Sequence, residues 1–114
     1  MANARALFTT LADPTRRALV EQLRSGPLTA GQLAQSMPVT RSAVSQHLQV
    51  LKAAALVQER RDGARRYYSL DPTALGELRA YVDGLWTDAL SHFTQTAGQE
   101  SDDGADPVSD PPGR

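Results

Sequence analysis

The sequence predicts a mainly α-helical domain with a β-hairpin, built from about five helices and two strands. Apolar residues recur at helical spacing before residue 55 and again after residue 71. Between these regions, an Asp-Gly pair at 62–63 separates two β-prone stretches and signals a tight hairpin turn. A chain of 114 residues has room for one modest core, so we expect a single folded domain over residues 1–97.

The first two helices have apolar faces and recognisable boundaries. The second helix begins directly after Asp13, which is a suitable N-cap, and Pro14 takes its first helical position. Gly-Pro at 26–27 ends this second helix. The first helix, in the stretch NARALFTTLA, has one apolar face made of Ala4, Leu7, Phe8 and Leu11.

The third and fourth helices have the arrangement of a helix-turn-helix. Thr29 and Gln32 have the spacing of a capping box, which predicts a short third helix that ends at Met-Pro 37–38. Thr40 caps a fourth helix that continues to about Ala54. The core side of this fourth helix carries Val44, Leu48 and Leu51, with Val50 beside them. In DNA-binding proteins, the second helix of such a pair lies in the major groove.

The opposite face of the fourth helix contains no acidic residue. Solvated helix faces usually carry Glu and Lys, whereas Ser and Gln can both donate to and accept from base edges, and Arg can donate to them, without repelling phosphates. We interpret this face as a DNA-reading surface, and an ordinary polar surface is the alternative for such a helix taken alone. The residues of this face are Arg41, Ser42, Ser45, Gln46, Gln49 and Lys52.

The hairpin is strongly basic. The stretches LVQER, RDGAR and RYYSL predict strand, turn and strand, and they contain Arg60, Arg61, Arg65 and Arg66. Guanidinium groups on a projecting ribbon bind phosphates or enter a minor groove. The alternative is a solubilising hairpin whose charges guard its strand edges. The position of the hairpin directly after an acid-free helix face favours DNA.

Positive charge is concentrated in this region although the formal net charge of the chain is −1. Residues 98–114 contain five acidic residues, one arginine and almost no large apolar residue, which predicts a disordered acidic tail. Without this tail, eleven basic residues face eight acidic ones. Three roles of the tail are consistent with the sequence: it is inert, it competes with DNA for the hairpin, or it contacts a partner.

Over residues 5–94 the sequence resembles the ArsR (ArsR/SmtB) family of winged helix-turn-helix transcriptional regulators, and its metal-independent branch in particular. The similar stretches are DPTRR, VSQHLQVLKAAALV, DGARRYYSLDP and LRAYVDGLWTDAL. The resemblance implies a homodimer that binds double-stranded operator DNA, usually as a repressor and often at its own promoter. It also implies that Arg41 lies near the backbone or a base and that Arg61 and Arg65 meet the flanking groove. The base-reading positions that it implies are Ser42, Ser45, Gln46 and Gln49.

Departures from the family concern metal sensing. Metal-sensing members carry cysteines in the helix that corresponds to TAGQLAQSM, and the absence of cysteine here excludes a thiolate metal site. Asp88 and His92 could form a four-ligand site across a dimer, but an ion pair within the helix or a structural histidine is the preferred interpretation. His47 is interpreted as a packing and hydrogen-bonding residue. We expect no cofactor, and the sequence identifies no effector.

The last helix predicts a homodimer. It follows an Asp-Pro cap at 71–72, and its apolar stripe is about 100° wide, which is the width of a buried helix face. A small winged domain already has its own core, so we expect a second copy to cover this stripe together with the first helix. Folding back onto its own domain is the alternative. The expected interface residues are Leu7, Phe8, Leu11, Leu78, Val82, Leu85, Trp86, Ala89 and Phe93.

Other functional classes have less support. The chain has two histidines, no cysteine and no Gly-rich phosphate loop, so we predict that it is not an enzyme. It has no apolar run of membrane-spanning length and no signal-peptide core, which predicts a cytoplasmic protein. The competing function is a winged-helix module that binds an acidic protein surface through the basic hairpin.

Overall fold

The computed structural model describes the backbone of residues 4–99 and the side chains of residues 4–95. These residues form the predicted winged helix-turn-helix fold. Residues 100–114 of the expected acidic tail lie outside the described residues. The elements are α1 (Ala4–Leu11), α2 (Pro14–Gln22), a 3-10 turn (Leu23–Ser25), α3 (Ala30–Gln35), α4 (Arg41–Ala53), β1 (Val57–Asp62), β2 (Arg65–Leu70) and α5 (Pro72–Gln99).

The predicted caps of α2, α3 and α4 are present. The Asp13 side chain accepts a hydrogen bond from the Arg16 backbone N–H at 3.0 Å and starts α2. Thr29 and Gln32 form the reciprocal bonds of a capping box at the start of α3. Thr40 accepts from the backbone N–H of Ala43 at 3.0 Å and starts α4. Local side-chain chemistry therefore sets the starts of three helices.

The C-terminal end of α4 directs the chain into the hairpin. Ala55 has a left-handed backbone with φ of 64°. The N–H of Leu56 donates to the carbonyl of Leu51, and the N–H of Ala55 donates to that of Lys52, both at 2.9 Å. This pair of bonds is a Schellman motif, which satisfies the last carbonyls of the helix and ends it sharply. The first strand consequently starts two residues later, at Val57.

The hairpin is a two-stranded antiparallel sheet whose register pairs Val57 with Leu70 and Asp62 with Arg65. Its loop therefore consists of Gly63 and Ala64, one residue later than a turn centred on Asp-Gly. Gly63 has φ of 65°, and glycine accepts this conformation without steric cost. The sheet is extended by a bridge that the sequence did not predict, in which Leu28 and Tyr68 exchange backbone hydrogen bonds of 3.0 and 2.8 Å.

The chain divides into two compact units, of which the first ends at Leu78 and the second begins at Arg79. The core of the first unit combines residues from every helix before the hairpin with residues of both strands. Buried leucines dominate it, and each helix of the helix-turn-helix contributes at least one. Its members are Leu7, Leu19, Leu23, Leu33, Val44, Leu48, Leu51, Leu56, Val57, Tyr68 and Ala74.

The described part of the second unit is the continuation of α5, from Arg79 to Gln99. Large apolar side chains on this segment are exposed in the single chain, with 55% exposure for Leu85 and 36% for Trp86. Within residues 4–99, no helix combines the length and the apolar character needed to cross a bilayer.

Candidate nucleic-acid interface

The exposed face of α4 presents the side chains that the sequence assigns to DNA reading. Ser45 is half-buried, and the other five members of the face are exposed. On the opposite side, Val44, Leu48 and Leu51 are fully buried, so core packing holds this polar face outward. Val50 differs from its predicted place beside the core, because it is 42% exposed. The five exposed members are Arg41, Ser42, Gln46, Gln49 and Lys52.

His47 connects α4 to the start of α2. Its Nδ1 lies 3.9 Å from Oδ2 of Asp13 and 3.5 Å from the guanidinium of Arg16. The predicted packing and hydrogen-bonding environment of His47 is therefore present. The backbone N–H of Arg16 lowers the pKa of Asp13 below its ordinary value, and the charges of Arg16 and His47 act in the same direction. The carboxylate is thereby kept ionised beside α4.

Two arginines of the DPTRR stretch attach α1 to this cluster. Nε of Arg16 donates to the carbonyl of Thr10 at 2.8 Å, and Nη1 of Arg17 donates to the carbonyl of Leu11 at 3.0 Å. Both acceptors lie in the last turn of α1, where helix carbonyls lack partners within the helix. Sequence reasoning missed this role. The available signal was a basic pair a few residues after a helix end, although many such pairs are solvated.

The wing, defined as β1, β2 and their turn, carries its four arginines on two faces. Arg61 faces Arg66 across the ladder, and strand alternation places Arg60 and Arg65 on the other face. Like charges in directly opposed positions destabilise a hairpin. The carboxylate of Glu59, 3.5 Å from Nε of Arg66, offsets part of this cost within the chain.

A cleft of about 450 Å³ lies among α3, α4 and the wing. It brings together several residues predicted separately from the sequence, and none of the residues that line it is acidic. Arg60 does not line this cleft, and lies on a second one with Gln58 and Tyr67. The polar residues of the first cleft are Thr29, Gln32, Arg41, Ser45, Arg65, Arg66 and Tyr68.

Two of the expected DNA-binding cations are paired within the chain. Nζ of Lys52 lies 2.9 Å from Oε1 of Glu59, and Nε of Arg66 lies 3.5 Å from Oε2 of the same carboxylate. The hydrogen bond from Lys52 lowers the pKa of Glu59 below its ordinary value, and this outweighs the opposing effect of burial. Glu59 is therefore ionised when the domain is folded near neutral pH.

The residues expected at a dimer interface differ in their availability. Leu7 is fully buried in the core of its own chain, so the prediction that it faces a partner requires correction. Leu11 and Leu78 are half-buried against the same core, whereas Phe8 is 44% exposed. The α5 members beyond Leu78 are exposed, namely Val82, Leu85, Trp86, Ala89 and Phe93.

Asp88 and His92 are both exposed on α5. Across the described part of the chain, no three or more His, Cys, Asp or Glu side chains come close enough together to hold a metal ion.

An acid-free helix in the second position of a helix-turn-helix, followed by a basic two-stranded wing, defines a winged helix-turn-helix DNA-binding protein. A family model described as a helix-turn-helix domain matches residues 11–60. The HTH-type transcriptional regulator Rv2034 of Mycobacterium tuberculosis is 56% identical over 96 residues, which are 84% of this chain and 90% of that protein. The transcriptional repressor SdpR of Bacillus subtilis is 38% identical over 69 residues, which are 60% of this chain and 77% of that protein.

Solved structures agree with this relationship. A possible transcriptional regulator for arsenical resistance has 49% identity and a TM-score of 0.64, with 78% of this chain and 93% of that chain covered. An ArsR-like transcriptional regulator from Rhodococcus sp. RHA1 has 27% identity and a TM-score of 0.67, with 82% and 92% covered. The chain belongs to the ArsR/SmtB family of winged helix-turn-helix regulators. It is a DNA-binding transcriptional regulator and not an enzyme.

Proposed function

We propose that this protein is a cytoplasmic homodimeric repressor that reads an inverted-repeat operator, and that its own promoter is among its sites. The observation that carries the proposal is the exposed face of α4, which is free of acidic residues and rich in side chains that bind base edges. The similar protein SdpR is named as a transcriptional repressor, which supports the direction of regulation.

The polar residues of α4 and those of the wing have different tasks in this proposal. Gln46 and Gln49 read bases, since a Gln side chain can form two hydrogen bonds with adenine, and the short Ser42 and Ser45 allow close approach to the groove. Phosphates bind the cations around this face, because such contacts set position and general affinity. These cations are Arg41, Lys52, Arg60, Arg61, Arg65 and Arg66.

A twofold dimer supplies the second reading helix. Val82, Leu85, Trp86 and Phe93 keep 36 to 55% exposure in the single chain, so covering the remaining surface of each would contribute about 0.5 to 1.5 kcal/mol. A partner copy gives these side chains an apolar environment. Two α4 helices about 34 to 36 Å apart would then occupy successive major grooves on one side of the duplex.

Selection of bound sequences from random duplexes, followed by footprinting upstream of the protein's own gene, tests this function. We expect a short inverted repeat and protection of that upstream region. Affinity should fall by several orders of magnitude between low and moderately high salt if six or more phosphates are contacted. A protein that is not retained on duplex DNA at low salt, or whose binding ignores salt, contradicts the proposal and favours the protein-binding alternative.

A wing variant separates phosphate contacts from base reading. Replacement of Arg61 and Arg65 by alanine should weaken binding to the operator and to random DNA by a similar factor, because phosphates carry no sequence information. It should also reduce the salt dependence of binding. A loss confined to the operator would show instead that the wing reads bases.

A further inference from the structure

Glu59 places a carboxylate at the junction of the reading helix and the wing. It lies on β1, accepts a hydrogen bond from Lys52 in the last turn of α4, and pairs with Arg66 on β2. One carboxylate thus connects three elements of the DNA-binding unit. Each of its two oxygens is assigned to a different cation.

The position of Glu59 in the hairpin explains this geometry. Glu59 faces Tyr68 across the ladder, and Tyr68 is a core residue with 5% exposure. Val57, two residues earlier, is on the same face and is also buried. Glu59 therefore lies on the core-facing side of the hairpin, at the boundary between its buried and its exposed residues. Arg66 is its diagonal neighbour on β2, within reach of a long side chain.

Exposure differs between the carboxylate and its partners. The Glu59 side chain is 17% exposed, whereas those of Lys52 and Arg66 are 47% and 54% exposed. An ammonium has three N–H donors and a guanidinium has five, so neither cation is saturated by one carboxylate. Both retain donors for phosphate oxygens while Glu59 holds them.

A carboxylate at this place has an electrostatic cost for DNA binding. It repels phosphates and reduces the positive charge of the interface, so its simple removal should strengthen binding to any duplex. An ionised Glu59 needs a compensating benefit if the surface is used for DNA. Fixing the relative position of two DNA-contacting elements is such a benefit, because preorganised groups lose less entropy on binding.

We propose that Glu59 is a positioning residue for operator binding. It fixes the wing against the end of α4 and holds Lys52 and Arg66 in the arrangement that a matched operator requires. It thereby increases discrimination between the operator and other DNA, while its charge lowers general affinity. This inference rests on the proposed function, since it assumes that α4 and the wing bind one duplex together.

The experiment compares Glu59→Gln with Asp62→Asn, each measured on the selected operator and on a random duplex of equal length at one salt concentration. Both variants remove one negative charge from the hairpin. Asp62 is the last paired residue of β1 before the Gly63–Ala64 loop, is exposed, and is outside the Lys52–Glu59–Arg66 cluster. Thermal unfolding of each variant verifies that the domain is folded.

We expect both variants to bind random DNA somewhat more tightly than the natural protein, because each gains net positive charge. In Glu59→Gln alone, the ratio of operator to random affinity should fall about three- to tenfold, as expected for the loss of two partly exposed ion pairs. In a Lys52→Gln background the effect of Glu59→Gln on this ratio should shrink, because one of those pairs is already absent.

Equal affinity ratios for Glu59→Gln and Asp62→Asn would overturn the inference, because the carboxylate would then act through charge alone. An undiminished effect in the Lys52→Gln background would also overturn it. These outcomes leave the proposed function intact as long as the natural protein prefers its operator. If the natural protein does not prefer its operator over random DNA, both the inference on Glu59 and the proposed function are wrong.

Discussion

At the scale of single residues, the position of α4 depends on side chains outside its proposed DNA-reading face. Asp13 caps α2 and also lies beside His47 of α4, while Arg16 and Arg17 bind the end of α1. Three helices are thus connected through polar contacts within the short DPTRR segment and one histidine. These contacts complement the apolar core, which fixes the opposite side of α4.

Base reading is expected to concentrate in few side chains. Replacement of Gln46 by alanine should lower operator affinity by about 1 to 3 kcal/mol, because a bidentate base contact is lost, and should change affinity for random DNA little. Quantitative binding titrations on both duplexes measure this difference. Gln22→Ala, at the exposed end of α2, is the matched control and should leave both affinities unchanged. Equal losses on both duplexes would contradict base reading by Gln46.

Stability should depend on the ionisation of Asp13. Its folded-state pKa lies below the ordinary value, mainly because it accepts a hydrogen bond from the backbone N–H of Arg16. A lowered pKa gives a contribution that is present above the unfolded-state pKa and is lost as pH falls through the folded-state pKa. Asp13→Asn keeps a capping oxygen but removes this charge.

The natural protein should therefore have a higher Tm than Asp13→Asn at neutral pH. This difference in Tm should begin to shrink near about pH 4 and should vanish at still lower pH. Thermal unfolding across this range measures it. A difference that persists unchanged in strong acid would show that the charge of Asp13 does not contribute.

At the scale of secondary-structure elements, local signals were predictable and long-range contacts were not. Thr29, Thr40 and Asp13 indicate where helices begin, because the side chain of an N-cap residue binds a backbone N–H only two or three residues away. The bridge between Leu28 and Tyr68 involves residues distant in sequence, and no local pattern indicates it.

Periodicity predicted the buried and the polar face of α4, but it did not predict which apolar residues of α1 are buried and which are exposed. Leu7 and Phe8 are adjacent on one apolar face, and only packing against the rest of the domain determines that Leu7 is buried and Phe8 exposed. For the same reason, sequence reasoning assigned Lys52 and Arg66 to DNA but did not detect their shared partner Glu59. Whether the selected side chains of α4 bind bases stays a prediction.

The junction of α4 and β1 contains a correctable backbone strain. Ala55 has φ of 64°, which glycine adopts at lower cost than alanine. Ala55→Gly should stabilise the domain by about 0.5 to 1 kcal/mol, after allowance for the greater freedom of glycine in the unfolded chain. Urea unfolding measures this change.

Ala53→Gly is the matched control two residues earlier, at the last residue of α4. It should destabilise the domain by about 0.5 to 1 kcal/mol, because glycine loses more backbone entropy in a helix. Destabilisation of equal size in both variants would contradict the left-handed conformation of Ala55.

At the scale of the whole molecule, the proposed operator complex contains two copies of the chain. The exposed apolar side chains of α5 are difficult to explain in a single chain, since contiguous apolar patches usually mark interaction surfaces. A second copy with its own reading helix would also double the number of bases contacted. A variant that no longer forms the dimer should therefore also lose its affinity for the operator.

Trp86→Glu tests this connection. The new carboxylate would be buried without a partner in the interface, which is strongly unfavourable, so we expect a monomer with little operator affinity. Sedimentation and operator titration measure the two properties. Ser91→Glu places the same charge on the opposite face of α5 and should remain dimeric. A dimeric Trp86→Glu protein that binds normally would contradict the proposed interface.

Site-specific photocrosslinking in the operator complex determines whether the exposed face of α4 lies against base edges. A short photoreactive side chain at position 46 should crosslink to bases within the half-site, while the same group at position 22 should give no crosslink. Crosslinks from position 22 with none from position 46, under conditions where the operator is bound, would show that this face of α4 does not read the operator.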